Sequence, residues 1–459
     1  MPATTAETGF ERLRASVQAE LLAQMPEQIG RLRWGREQIE ATQRDGLRAL
    51  LAHAIQNSPF HRQRLGGIDP SRVELTDLAS LPVMTKAEMM GSLDAVFTDS
   101  RLSRGLVEQA LAATVAEPIP ILGEYVAGAS GGSSGQRGLF VSDRQALAGV
   151  FSSLGRWEMA RTLALGGPPP VGLPAVIVGA ASAVHTTGSA PAWSGGQLLA
   201  VPATLPVAEI VQRLNSLRPA VLSGYASMLG RLAAEQQAGR LRIAPVAVTT
   251  TSEMLTPGIR AAIAGAFAAP IVDVFGSTEG LFGTSAPDDE VLVFNSDLCI
   301  AELVDEQNRP VPPGVLSAKV LLTNLYNLTQ PLIRYELADS FVQQPHAADH
   351  GHLRARVRGR ADDVLSYQGV DIHPHVVRSV LVRSPEILDY QVRQTPAGID
   401  LHALAVVRVD TDPLAGRLRK ALTEAGLHHP AVTVHIVDHL QRNPETGKLR
   451  RFIPLHTAG

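Results

Sequence analysis

The spacing of apolar residues changes character twice along the chain. Up to about residue 115 the text is helical, with Leu47, Leu50, Leu51, Ala54 and Ile55 falling on one face at a period near 3.6. From about 120 an apolar run, IPILGEYV, meets the small-residue loop ASGGSSGQRG, the strongest breaker in the sequence. Beyond it, continuous apolar segments alternate with helical ones. Strands are predicted at 173–179, 219–223, 243–250 and 270–275. Helices are predicted through Val207, Ile210, Val211, Leu214 and Leu217, over 226–238 before Gly239, and over 257–268. Strands alternating with helices build βαβ units and a largely parallel sheet. After about 360 a smaller pattern follows: strand 364–372, helix 375–383, strands 388–394 and 399–408, helix 413–425 and strand 431–438. That order is the split βαβ of a ferredoxin-like module.

The expected fold is therefore α/β. A large N-terminal domain (1–361) carries mostly parallel sheets with flanking helices, and a small C-terminal α+β, ferredoxin-like lid spans 362–459. The charged run RVRGRADD marks the boundary between them.

Composition narrows the class. The 459 residues carry 41 Lys+Arg against 44 Asp+Glu, so a broad nucleic-acid or anionic-membrane footprint is not expected. A single cysteine, Cys299, excludes an internal disulfide and a cysteine-rich metal cluster. The longest apolar stretch, within 168–184, holds four prolines and is too broken to span a bilayer. The N-terminal text lacks a basic start and an apolar run, so no signal peptide is read and a cytoplasmic location is expected.

Five short motifs carry chemistry, each with a bland alternative. In the loop from Ser130 to Gly138, Gly131, Gly132, Ser133, Ser134 and Gly135 suit a phosphate cradle of backbone amides and hydroxyls. The same text satisfies a hydrolase elbow with Ser130 as nucleophile, although GGSSGQRG is a poor helix start. A surface loop would read identically. Asp273, Val274, Phe275, Gly276, Ser277, Thr278 and Glu279 follow a buried strand, where ligands bind in open α/β sheets. Glu279 there could share Mg²⁺ with substrate phosphates or be a solvated loop carboxylate. Asp339 could accept from a ribose diol or serve as a turn residue. Arg360 and Asp362 lie at the boundary, in a hinge or a plain linker. Lys448, after Thr446-Gly447, could reach a phosphate as a mobile point charge or simply be solvated. No histidine spacing suits a metal centre.

Taken in order, these motifs resemble the adenylate-forming superfamily of acyl-CoA synthetases, and most closely its phenylacetate–CoA ligase-like branch. Ser58-Pro59-Phe60-His61 and Leu81-Pro82-Val83-Met84-Thr85-Lys86 look like that branch's early text. The resemblance implies that 131–135 form the phosphate loop, that Ser252 and Glu253 border the adenine, and that 273–275 lie against the base. It likewise implies that Glu279 holds Mg²⁺, that Asp339 and Arg360 bind the ribose, that Asp362 is the hinge and that Lys448 is the catalytic lysine. Three departures stand out: Gln136-Arg137 for Pro-Lys or Pro-Thr, Phe275 for tyrosine, and Ala338 for glycine.

The activity so implied is ATP-dependent conversion of an aryl or arylalkyl carboxylic acid to an acyl-adenylate, then transfer to CoA. The cofactors are ATP and Mg²⁺, with CoA as co-substrate. Tyr225, His185 and Gly276 are acyl-pocket candidates. A non-CoA acceptor (a carrier protein, an amine) and a homodimer are compatible with the same text. A Ser130 hydrolase and a nucleotide-binding module are the readings from other classes.

Overall fold

The computed structural model describes residues 8–455 apart from 131–136, 165–173, 361–362, 382, 385 and 406. Gly131, Gly132, Ser133, Ser134, Gly135 and Asp362 therefore lie outside the described residues. Among those described, the largest sheet has nine strands. Five of them (Ile271–Gly276, Ala247–Thr251, Val221–Tyr225, Ala175–Gly179 and Leu198–Pro202) run parallel as neighbours in that order. Val176, Leu222, Val248 and Ile271 have no exposed surface, as expected for parallel strands covered on both faces. The helices Val207–Leu217, Ala226–Gln237 and Pro257–Phe267 pack their apolar stripes into the same core. The last of these starts as its sequence dictates: Thr256 caps the Ile259 amide and Pro257 takes the first turn.

The sheet continues from Ile271–Gly276 through antiparallel strands Phe282–Ser285, Leu292–Phe294, Arg354–Arg360 and Asp339–Gln343. Reversal of direction after Gly276 throws the loop 277–281 outside the carboxyl ends of the parallel strands. That is where an open α/β sheet presents ligands.

The last hundred residues have a core of their own, from Leu365 to Phe452, built on a four-stranded sheet. Segment 364–372, read as one strand, folds instead as a separate hairpin, Leu365–Tyr367 with Val370–Ile372. Gly369 turns it at φ +82°, a conformation glycine adopts without a Cβ penalty. The fourth strand of the sheet is Phe452–Ile453, parallel to Ile387–Thr395. No helix among the described residues is long and apolar enough to cross a membrane.

Candidate active site

A cavity of about 1150 Å³ lies between the nine-stranded sheet and the small C-terminal unit. Its walls include Ser252, Glu253, every residue from Asp273 to Glu279, Asp339, Arg360 and Lys448. Residues scattered over nearly two hundred positions are thus brought to one space.

Local structure explains each placement. Asp273 leaves the strand Ile271–Gly276 with its Oδ1 accepting 2.6 Å from the Thr250 hydroxyl on the neighbouring strand. Burial pushes its carboxyl up to about 6, against the pull of that hydrogen bond and of Arg260. Phe275 packs edge-on to Phe341 and Phe294, at 5.2 and 5.8 Å between ring centres. It keeps an aromatic wall without a hydroxyl.

The turn 277–281 is pinned from inside. Ser277 N donates to Leu281 O at 3.0 Å, Asn324 Nδ2 donates to Glu279 O at 3.0 Å, and the Tyr326 hydroxyl donates to Gly280 O at 2.9 Å. Gly280 sits at φ +106°, and a Cβ there would strike both Asn324 and Tyr326. Glu279 is held half-buried over the cavity, and desolvation raises its carboxyl above the usual range. Its own amide, Arg360 and Lys86 offset that desolvation only in part, and a bound cation would relieve the rest. The nearby Tyr335 hydroxyl is buried with no protein partner.

Asp339 and Arg360 meet through strand register. They are paired residues on neighbouring antiparallel strands, and Arg360 Nη1 approaches the Asp339 carboxylate at 3.2 and 3.4 Å.

Lys448 comes from a tight turn in the small unit. Asn443 Oδ1 accepts from the amides of Glu445 and Thr446, both at 2.9 Å, and Gly447 N donates to Asn443 O at 2.8 Å. Gly447 has φ +74° and presses against Ala203 of the large unit. The Lys448 ammonium stands 5.7 Å from the centre of the Tyr225 ring. Burial lowers its pKa, Glu253 counteracts this and Arg360 adds to it. Its charge is therefore poorly solvated and available to an incoming anion.

Three sequence expectations need correction. Tyr225 and His185 do not belong to the cavity walls, whereas Gly276 does. Tyr225 is fully buried with its hydroxyl 3.0 Å from Thr187 Oγ1, and it serves as the platform under Lys448. His185 faces Glu445 across the two units, Nε2 to Oε1 at 3.2 Å. Ser130 is not on a strand–helix elbow. It stands at the open end of the antiparallel pair Val126–Ala129 with Leu139–Ser142, where its N donates to Gly138 O at 3.0 Å and its Oγ accepts from Gly138 N at 2.9 Å. That geometry removes the basis of the hydrolase reading.

No protein-family model matches the chain. It is 25% identical over 377 residues to the phenylacetate–coenzyme A ligase of Thermus thermophilus, covering 78% of each sequence. Among solved structures, 2-hydroxyisobutyryl-CoA ligase in its postadenylation state matches with a TM-score of 0.67 at 19% identity, over 93% of this chain and 91% of that one. The chain is thus similar in sequence to phenylacetate–CoA ligases and shares the fold of 2-hydroxyisobutyryl-CoA ligase. The same ligase in its thioesterification state, in complex with 2-HIB-AMP and CoA, matches with a TM-score of 0.54 at 18% identity, over 92% of this chain and 91% of that one.

Sequence reasoning missed Lys86 as a site residue. It lines the cavity and donates to Ser130 Oγ at 3.2 Å. A signal was available. Thr85 and Glu88 form a capping box that makes Lys86 the first residue of the helix Lys86–Gly91. A cation at a helix N-terminus opposes the macrodipole, which marks the position as held for another reason.

Proposed function

We propose that this protein activates a carboxylic acid with Mg²⁺·ATP to an acyl-adenylate and then passes the acyl group to CoA. The body is 1–361 and the mobile lid 362–459. The observation that carries the reading is the shared cavity, where a desolvated lysine, a raised carboxylate and an aspartate–arginine pair converge from two turns and two strands. The similarity to phenylacetate–CoA ligase supports the acid class as aryl or arylalkyl.

The first step joins two anions, a carboxylate and the α-phosphate. Neutralisation and alignment therefore supply most of the rate. Lys448 bridges the two reacting groups. Asp339 and Arg360 hold the ribose, Phe275 and its neighbours wall the base, and residues 131–135 cradle the phosphates. Glu279 is the residue that would hold Mg²⁺, which supplies charge neutralisation on the phosphates when bound. Asp362 is the hinge about which the lid turns to withdraw Lys448 before the acceptor enters.

ATP–pyrophosphate exchange over a panel of aryl, arylalkyl and short hydroxy acids tests this. Exchange with at least one acid is expected, and thioester should form once CoA is added. No exchange across the panel would overturn the reading. Exchange without thioester, but with transfer to hydroxylamine, would redirect it to a non-CoA acceptor. Lys448→Ala should lower exchange by about 10²–10³-fold while the protein stays folded. Asp362→Pro should spare exchange and block thioester formation.

A further inference from the structure

Glu253 does something that bordering a base does not require. Its side chain is only 2% exposed, and both carboxylate oxygens are engaged by backbone amides from different units. Oε2 accepts from Ser227 N at 3.0 Å and Oε1 accepts from Leu449 N at 2.7 Å.

The first contact repairs a defect. The helix Ala226–Gln237 begins after Tyr225, whose side chain offers no cap, so its early amides lack a local acceptor. A carboxylate there is favoured by the helix dipole. The second contact is with the residue immediately after Lys448. Arg442, also on the small unit, stands 3.9 Å from the same Oε1. Tyr225 itself is the ring beneath the lysine, so one carboxylate fixes both the start of the platform helix and the backbone that presents the ammonium.

We propose that Glu253 is a positioning residue for Lys448. It ties the lid backbone to the body in the conformation that forms acyl-adenylate, and it lets go when the lid turns. The other lid contacts in this turn are weaker anchors. Glu445 is 57% exposed on the His185 side, and Gly447 touches Ala203 only by packing. A buried charge-assisted bond to an amide is shorter and stronger than either. The inference rests on the functional reading above, in which Lys448 serves the first half-reaction alone.

The experiment compares Glu253→Gln, Lys448→Ala and the double variant with the unaltered protein. Exchange is measured with the acid that the panel selects, and thioester formation from that acid's synthetic adenylate plus CoA. Glutamine can accept from one amide but turns an NH₂ group towards the other. Exchange should fall about 10²-fold, the scale of a misplacement near 1 Å. At saturating adenylate, thioester formation should keep kcat within about threefold of the unaltered value, because the lysine is withdrawn in that step, and any change in binding of the base then falls in KM alone. In the Lys448→Ala background the second substitution should cost almost nothing further, since both act through one group. Equal loss of both half-reactions, full retention of exchange, or losses that multiply in the double variant would each overturn the positioning role. Absence of exchange in the unaltered protein overturns the functional reading, and the positioning role falls with it.

Discussion

Gly280 shows how much a single backbone angle decides. At φ +106° with Asn324 and Tyr326 against its α-carbon, it lets the chain turn so that the preceding carboxylate, Glu279, meets the cavity. Gly280→Ala must either strain that angle or push both side chains away, at a cost of about 1–3 kcal/mol. The displaced turn should also raise KM for Mg·ATP in the exchange assay more than it lowers the melting temperature would suggest. Unchanged kinetics in a folded Gly280→Ala protein would mean that Glu279 is not placed by this turn. Glu279, Asp339, Arg360 and Lys448 were legible as residue types in ordered motifs. Their convergence was not, because it depends on strand register and on a contact from the small C-terminal unit that no local spacing encodes. Glu253 was legible only as a neighbour of the base. Its two amide partners come from 26 and 196 residues away.

Elements built from continuous patterns were the ones that sequence reasoning could place. The parallel strands Ala175–Gly179, Val221–Tyr225, Ala247–Thr251 and Ile271–Gly276 each open on an apolar pair, and the helices between them keep a clean period. The antiparallel strands Phe282–Ser285 and Leu292–Phe294 have four and three residues, too few to show alternation. Phe452–Ile453 is shorter still and exists as a strand because Ile387–Thr395 offers it an edge. A short element can nonetheless be specified by its cap. In Lys86–Gly91, Thr85 Oγ1 accepts from Glu88 N at 3.2 Å and Glu88 returns the bond to Thr85 N at 2.8 Å. Thr85→Ala should cost about 1 kcal/mol in urea unfolding, the usual worth of such a cap. Because Lys86 starts this helix, the same change should raise KM for ATP in exchange. A stability loss with KM unmoved would separate the helix from the site.

At the scale of the whole molecule, two buried histidines tie distant parts of the body together and make its stability sensitive to acid. His61 Nε2 donates to Pro331 O at 2.9 Å, and its Nδ1 has no protein partner. His352 Nε2 donates to Arg31 O at 3.0 Å while its Nδ1 accepts from Ser296 N at 3.3 Å, an arrangement that fits the neutral ring. Burial pushes both down to about 4. For a histidine lowered in this way, stability is fully present above the unfolded value near 6.5. It is lost as pH falls towards about 4, because the unfolded chain takes the proton first. Between pH 7 and 5 each histidine should remove about 2 kcal/mol. Asp273 works in the opposite direction. Its carboxyl, raised to about 6, is easier to keep buried once protonated, so it returns about 1 kcal/mol over the same interval. From these three groups alone the body should be weaker by about 3 kcal/mol at pH 5 than at pH 7, read from urea midpoints at constant salt. His352→Gln isolates one contribution. It should start less stable at pH 7, having lost a ring that bonds at both nitrogens, yet its pH 7 to pH 5 loss should shrink by about 2 kcal/mol. An unchanged loss in that variant would show that His352 takes up its proton in the folded body as readily as in the unfolded chain.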